Sequence, residues 1–382
     1  MKPTPRGFWA VWTTVAVDLI GFGILIPLLP LYAEDFGASP ATIGALFATY
    51  SLAQVAFSPF WGRLSDRIGR RPVLLVTIAG SALGSLITGL AGALPILFVG
   101  RLIDGTSGAS IAVARATVSD VASADERPRL MGLLGAAFGL GFVVGPVLGA
   151  AATFGGPAVP FFVAAFLSIA NLIATWFRVP ETAGPQAMAS TKPSPAARPV
   201  GYAMRLIILT LVVVAAFSAF EATFSLLARL RVGLSDAEVA LMFTGAGVLL
   251  VAVQGGLIGV LVRRYGEPRL LRIALGAMVV GFVVLSSAST WPILVTGVAI
   301  TALGYGLVTP TLSSLIADQA ASNAGRALGT QQSAGGLARV IGPLVGASLF
   351  GVAMPLPFVA AALLIAGSFG LVSAGRRRSN FR

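Results

Sequence analysis

Runs of about 20 apolar residues, broken by short turns, recur from one end of this 382-residue chain to the other. A helix of that length crosses a bilayer, where hydrocarbon offers no partner for an open backbone amide. Only 10% of the residues are charged, against roughly a quarter in soluble domains, so most of the surface must face lipid or other apolar helices. We place twelve spans at about 7–32, 41–61, 72–92, 95–118, 130–154, 158–179, 205–228, 237–262, 269–288, 291–316, 327–352 and 355–375. Twelve spans consume about 240 residues, which leaves short loops and no separate soluble domain. The expected fold class is an all-α membrane protein.

The net charge of +12 is unevenly distributed. Arg63, Arg67, Arg70, Arg71, Arg127, Arg129, Arg178, Arg263, Arg264, Arg326 and the terminal Arg376, Arg377, Arg378 and Arg382 fall on one side of the spans, and Arg229 and Arg231 on the other. Basic loops stay cytoplasmic, so both termini are expected inside and the basic charge is read as orientation, not as a nucleic-acid surface. The first apolar run is too long for a cleavable signal and continues as a span. Cysteine and histidine are absent, which excludes disulfides, thiol chemistry and histidine relays or ligands. No metal cluster, nucleophile with its base or phosphate loop appears, so neither an enzyme nor a cofactor is expected.

Between 180 and 204 the composition shifts to Pro, Ala, Ser, Thr and Lys, marking a cytoplasmic linker. On this reading 1–179 and 205–375 are two six-helix bundles and 376–382 is a basic tail. A repeat supports the division: Gly62 and Gly259, Gly69 and Gly266, Arg129 and Arg326, Gly132 and Gly329, and Gly145-Pro146 and Gly342-Pro343 all stand 197 residues apart. Duplicated halves are a common transporter plan.

The densest charge lies at 62–74, GRLSDRIGRRPVL, expected as a tight loop with glycines for close approach and Pro72 opening the next helix. Gly62, Asp66, Arg67, Gly69, Arg70 and Arg71 resemble, position by position, the loop 2-3 signature of the major facilitator superfamily. Arg101, Gly105 and Gly108 resemble its motif B, and Gly141, Gly145, Pro146 and Gly149 resemble the motif C that marks antiporters. Asp18 with the LIGFGILIPLLP run resembles the first span of twelve-span drug:proton antiporters, tetracycline exporters among them. Gly84 stands where those exporters carry an aspartate, and the ninth span has no acid, so the resemblance does not single out tetracycline from a broader set of lipophilic or cationic compounds. The resemblance implies a twelve-helix major facilitator fold of two pseudo-symmetric bundles, monomeric in the plasma (inner) membrane. It further implies that Asp66 faces the start of span 11 and that an arginine such as Arg70 reaches Asp120, forming a conformational switch.

Charges inside spans cost roughly 2.5 to 3.5 kcal/mol each, so each needs a reason. The set is Asp18, Arg101, Asp104, Arg115, Glu221 and Arg339. Asp18 lies about 18 Å beyond Arg6 along its helix, near the bilayer centre. Asp18, Glu221 and Arg101 are the expected proton-coupling group, unless Asp18 is a fixed partner of Arg101 or Glu221 of Arg339. Arg115 lies near four turns beyond Arg101 and is expected on the face of Arg101 and Asp104. Phe22, Phe217, Phe224 and Tyr305, with Asp18, Arg101 and Glu221, are expected to line a substrate cavity, since an acid between aromatic rings suits a lipophilic cation. The reading is export of drugs or other lipophilic or cationic small molecules in exchange for protons by alternating access. The alternatives are a sugar or metabolite transporter, for which Gln54, Gln254, Gln331 and Gln332 are the obvious polar groups, and, more distantly, a non-transporting scaffold.

Overall fold

In the computed structural model, residues 7–121, 126–181, 201–320 and 324–373 are described. The linker segment 182–200, the tail from 374 onward and the side chains of Asp120, Arg127 and Arg129 lie outside the described set. The described residues form helices and turns and no strand. The first half runs α1 (Phe8–Asp35), α2 (Pro40–Ile68), α3 (Arg70–Gly89), α4 (Leu94–Ser107), α5 (Ser110–Val121), α6 (Arg127–Thr153) and α7 (Val159–Arg178). The second runs α8 (Tyr202–Leu227), α9 (Asp236–Ala252), α10 (Ile258–Tyr265), α11 (Glu267–Ser286), α12 (Trp291–Ala320), α13 (Ala324–Val352), α14 (Leu356–Gly367) and α15 (Phe369–Ser373). π-helical turns at Ala228–Val232 and Val253–Leu257 extend α8 and join α9 to α10.

Eleven of these helical stretches are long and apolar enough to cross a membrane, and a twelfth, Leu356–Val372, is shorter. The expected count of spans is therefore met, with the last one broken near Ser368. By compactness the chain divides into Met1–Gly37, Thr49–Pro195 and Asp236–Thr244 as one unit, and Ala38–Ala48, Ala196–Ser235 and Gly245–Arg382 as the other.

Within the first unit α1 is central. Its Phe8, Val11, Val15 and Leu19 pack with Val73, Leu74 and Ile78 of α3, Val113 of α5 and Leu134 of α6. Higher on α1, the packing changes from side chains to backbone. A Cβ on Gly145 would stand 2.7 Å from the Cα of Gly23, one on Gly141 would stand 2.6 Å from the carbonyl oxygen of Leu19, and one on Gly23 would meet the Gly141 carbonyl. The antiporter-like glycines are thus the points where α6 touches α1, with Pro146 inside the same helix. Without water to drive apolar groups together, helices in lipid gain most from such close van der Waals contact.

The same seam recurs 197 residues on. A Cβ on Gly342 of α13 would meet the Ala215 backbone of α8, and one on Gly346 would lie 2.5 Å from the Ala219 Cβ. A second duplicated contact joins neighbouring helices: Gly84 of α3 meets the Asp104 backbone, and Gly281 of α11 meets that of Thr301. Gly69 and Gly266, which open α3 and α11, share one conformation, φ 103° with ψ 159° and φ 72° with ψ 153°. Only glycine adopts it without strain.

Two expectations need correcting. The charged segment 62–74 is not a loop: α2 continues to Ile68 and α3 starts at Arg70, so Gly69 alone makes the turn. Gly62 is helical and has nothing within 4 Å of an added Cβ, and Pro72 is the third residue of α3, where its missing amide still costs no helical bond. The fourth span is not one continuous helix either. It breaks after Ser107, where Gly108 caps α4 with φ −70° and ψ 52°, and restarts at Ser110. The break cancels the helical phase between Arg101 and Arg115: Arg101 is buried and Arg115 is exposed.

The seam yields a first prediction. Gly145→Ala should lower the thermal unfolding midpoint of the purified protein, at a cost of about 1–3 kcal/mol for overpacking. Gly276→Ala, in α11 with open space around it, should leave the midpoint unchanged or slightly raised. Equal midpoints for the two variants would remove the seam from the account of stability.

Candidate functional site

The first unit gathers Asp18 and Asp104, with Arg101 bonded to the latter, at one small cavity. Asp18 and Phe22 of α1, Tyr50 of α2, Ser81 of α3 and Asp104 of α4 line a space of about 20 Å³, room for one water. The tight α1–α6 seam fixes the height and rotation of Asp18, which lies less than two turns before Gly23. Arg101 is 2% exposed and donates from Nη1 to Asp104 Oδ2 at 2.7 Å. Its guanidinium also lies 4.3 Å from the centre of the Tyr50 ring, a cation–π contact that partly replaces lost hydration. Tyr50 in turn stacks near Phe22 at 5.4 Å and accepts a hydrogen bond from Gln54 Nε2, which also donates to the Gly108 carbonyl at the helix break. Ser110, the first residue after that break, lies beside Asp18.

The break at Gly108 therefore has a use: it lets one span present Asp104 from α4 and Ser110 from α5 to the same region. Of the two roles weighed for Arg101, the ion partner observed is Asp104 on its own helix, three residues on, and not Asp18. The sequence reading counted Asp104 among the embedded charges but gave it no part in the site. Tyr50 was missed altogether, since a single tyrosine in an apolar run carries no signal.

In the second unit, Glu221 of α8 is half-buried beside Ser218, within electrostatic reach of Arg339 of α13 and of Tyr305 of α12. Phe217 and Tyr305 stack face to face, with centroids 3.7 Å apart and planes 4° from parallel. Phe217, Tyr305 and Glu221 are thus brought together as expected. Phe224 is not: it is 0% exposed and packs on Phe220 at 5.0 Å, a core position in this structure.

At the α2–α3 turn, Arg70 is buried and donates from Nη1 to Asp66 Oδ1 and Ser65 Oγ, both at 2.6 Å, while the Asp66 side chain is 60% exposed. Arg67 is exposed. Arg71 donates to the Trp176 carbonyl on α7 and lies 5.5 Å from that ring. Glu181, just beyond α7, accepts the backbone amides of Arg70 at 2.8 Å and Arg71 at 3.3 Å. A carboxylate there satisfies otherwise unpaired amides and lies at the positive end of the helix dipole. It also crowds Gly69, where an added Cβ would run into the Glu181 carboxylate. The sequence gave no warning of this cap, because Glu181 stands more than a hundred residues away, at the edge of the linker.

Residues 11–343 and 206–380 match the family profile of the Major Facilitator Superfamily. The chain is 33% identical over 359 residues to the Escherichia coli tetracycline resistance protein, class B, covering 89% of this chain and 87% of that one. It is 28% identical over 385 residues to multidrug resistance protein 2 of Bacillus subtilis (strain 168), covering 98% and 96%. Among solved structures it superposes on the human organic anion transporter MFSD10 (TETRAN) with a TM-score of 0.72 and 26% identity, over 96% of this chain and 99% of that one.

The Glu181 cap predicts that Glu181→Ala lowers the unfolding midpoint by the equivalent of about 0.5–2 kcal/mol, the range for loss of a helix cap. Glu181→Asp, one methylene shorter, should fall between. A midpoint unmoved by Glu181→Ala would show that water replaces the carboxylate without loss.

Proposed function

The chain belongs to the Major Facilitator Superfamily, and from that premise we propose that it exports lipophilic or cationic small molecules across the plasma membrane in exchange for protons. The observation that carries the reading is the placement of Asp18: a carboxylate midway along a membrane span, at a water-sized cavity, held there by the glycine seam. A fixed structural carboxylate would be expected in direct contact with a cation. Here Arg101, the buried arginine of the same unit, is already bonded to another acid, which leaves the Asp18 carboxyl able to take up and lose a proton.

The cargo reading rests on a second feature. Glu221 beside the stacked Phe217 and Tyr305 offers one negative charge next to flat aromatic surface, which suits a lipophilic cation. Relatives named for tetracycline and multidrug resistance support the same class of cargo. The chain acts as a monomer with both termini cytoplasmic, the orientation its basic loops favour. Proton and cargo alternate in access to the two sides, with Asp18, Arg101 and Glu221 as the coupling charges. The segment holding Asp66, Arg67, Gly69, Arg70 and Arg71 is the conformational switch. A sugar-carrier reading is less well supported. Gln331 is buried against Ser313 and Thr210, and Gln54 is bound to Tyr50 and Gly108, so two of the four amides that would read hydroxyl groups are used within the fold, while Gln254 and Gln332 are exposed.

Cells overproducing the protein should accumulate less ethidium than control cells, and a protonophore should erase the difference. Asp18→Asn should raise accumulation to the control level at unchanged protein abundance, and Glu221→Gln should weaken export of cations more than of neutral compounds. Export that persists with the protonophore, or in Asp18→Asn, would rule out proton exchange through this site.

A further inference from the structure

The cavity at Asp18 contains more acid than its base can neutralise. Asp18 comes from α1, Asp104 and Arg101 from α4. The other walls add no formal charge among the described residues: α2 gives Tyr50, whose hydroxyl is held by Gln54, and α3 and α7 give serines. Arg115, on α5, is exposed and outside the lining. The count is therefore two carboxyl groups and one guanidinium, in a space with room for about one water. Two carboxylates sharing one site do not both ionise readily, so the arrangement favours a single bound proton.

A structural explanation of Asp104 has to be weighed first, namely that it only neutralises Arg101 or fills space against α3. The duplicated half bears on the second possibility. Gly281 meets Thr301 in the contact that Gly84 makes with Asp104, and Thr301 is uncharged and fully buried. The helix contact therefore forms without a carboxylate. Simple neutralisation of Arg101 explains one acid and not two, and it leaves Arg101 Nε buried with no hydrogen-bond partner, a spare donor beside the cavity.

We propose that Asp18 and Asp104 form one two-carboxylate site that holds a single transported proton between them, with Arg101 as its counter-charge. The inference rests on the proton-exchange reading above and adds Asp104 as a second residue that carries the proton. When the proton is on Asp18, Asp104 is ionised and keeps the bond to Arg101 seen in the structure. When the Asp18 carboxyl loses its proton to the water in the cavity and that water passes one to Asp104, Asp18 becomes the anion and Arg101 turns its free donor toward it. No charge is created or lost in that exchange. Binding of the cationic cargo is what drives the proton out, one positive charge in the protein replacing another.

Counting protons tests this. Ethidium added to the purified protein in weakly buffered detergent solution should release about one proton per chain, read by a pH-sensitive dye. Asp104→Asn leaves one acid and one base, so release should vanish although Asp18 is intact. Combining it with Arg101→Gln leaves one acid and no base, so release should return. The converse pair avoids reliance on one fold: Asp18→Asn with Arg101→Gln should also release about one proton, now from Asp104. If Asp18 alone carries the proton, Asp104→Asn still releases it and the converse pair releases none, and either result overturns the shared site. Ethidium binding, followed by its fluorescence, is required of every variant that is scored. Binding without proton release by the unaltered protein would overturn proton exchange itself, and the shared site with it.

Discussion

Direct backbone contact between α1 and α6 is the constraint on which the first half depends. Within hydrocarbon, apolar side chains gain little by leaving lipid for each other, so helices hold together where their surfaces fit closely. Gly23, Gly141 and Gly145 remove the side chains that would hold the two helices apart. That contact fixes the register of α1, and with it the depth and direction of Asp18. A charged residue at that depth is tolerable only if its surroundings are equally fixed, because a carboxylate that could drift into lipid would lose its polar neighbours.

The two halves duplicate this scaffold and do not duplicate its embedded charges. Glycine seams recur at Gly145 and Gly342, glycine turns at Gly69 and Gly266, and the α3–α4 contact at Gly84 and Gly281. At the positions of the first-half charges embedded in α1 and α4 the second half is neutral: Ala215 answers Asp18, Val298 answers Arg101 and Thr301 answers Asp104. In the other direction, Glu221 answers to Ile24 and Arg339 to Phe142. Packing was inherited twice, while the embedded charges were placed differently in each half. The asymmetry separates a paired-acid cavity in the first half from an acid beside stacked aromatic rings in the second.

Hydropathy read the spans well because it measures the property that a bilayer selects, the transfer cost of each residue over a helix length. It read the ends of helices poorly. The segment 62–74 has the charge and glycine content of a loop, yet α2 runs through most of it, since a helix leaving the membrane can continue in water. The two glycines there looked equivalent in sequence. Only Gly69 has a positive φ and a neighbour pressed against it, whereas Gly62 is an ordinary helical residue. Arg115 was placed with Arg101 by counting residues along one helix, and the break at Gly108 undid the count.

By itself, then, the sequence determined an all-helical membrane protein, its duplicated plan and the identity of the charges embedded in it. Each follows from local properties, composition and spacing, that need no knowledge of neighbours. What only the tertiary structure decided is which of those charges meet. Arg101 bonds Asp104, Asp18 shares their cavity from another helix, and Glu181 caps α3 from beyond α7. The physical reason is that the energy of a buried charge is set by groups a few ångströms away in space, and these lie three residues away for Arg101 and Asp104 but tens to more than a hundred residues away for Asp18 and Glu181.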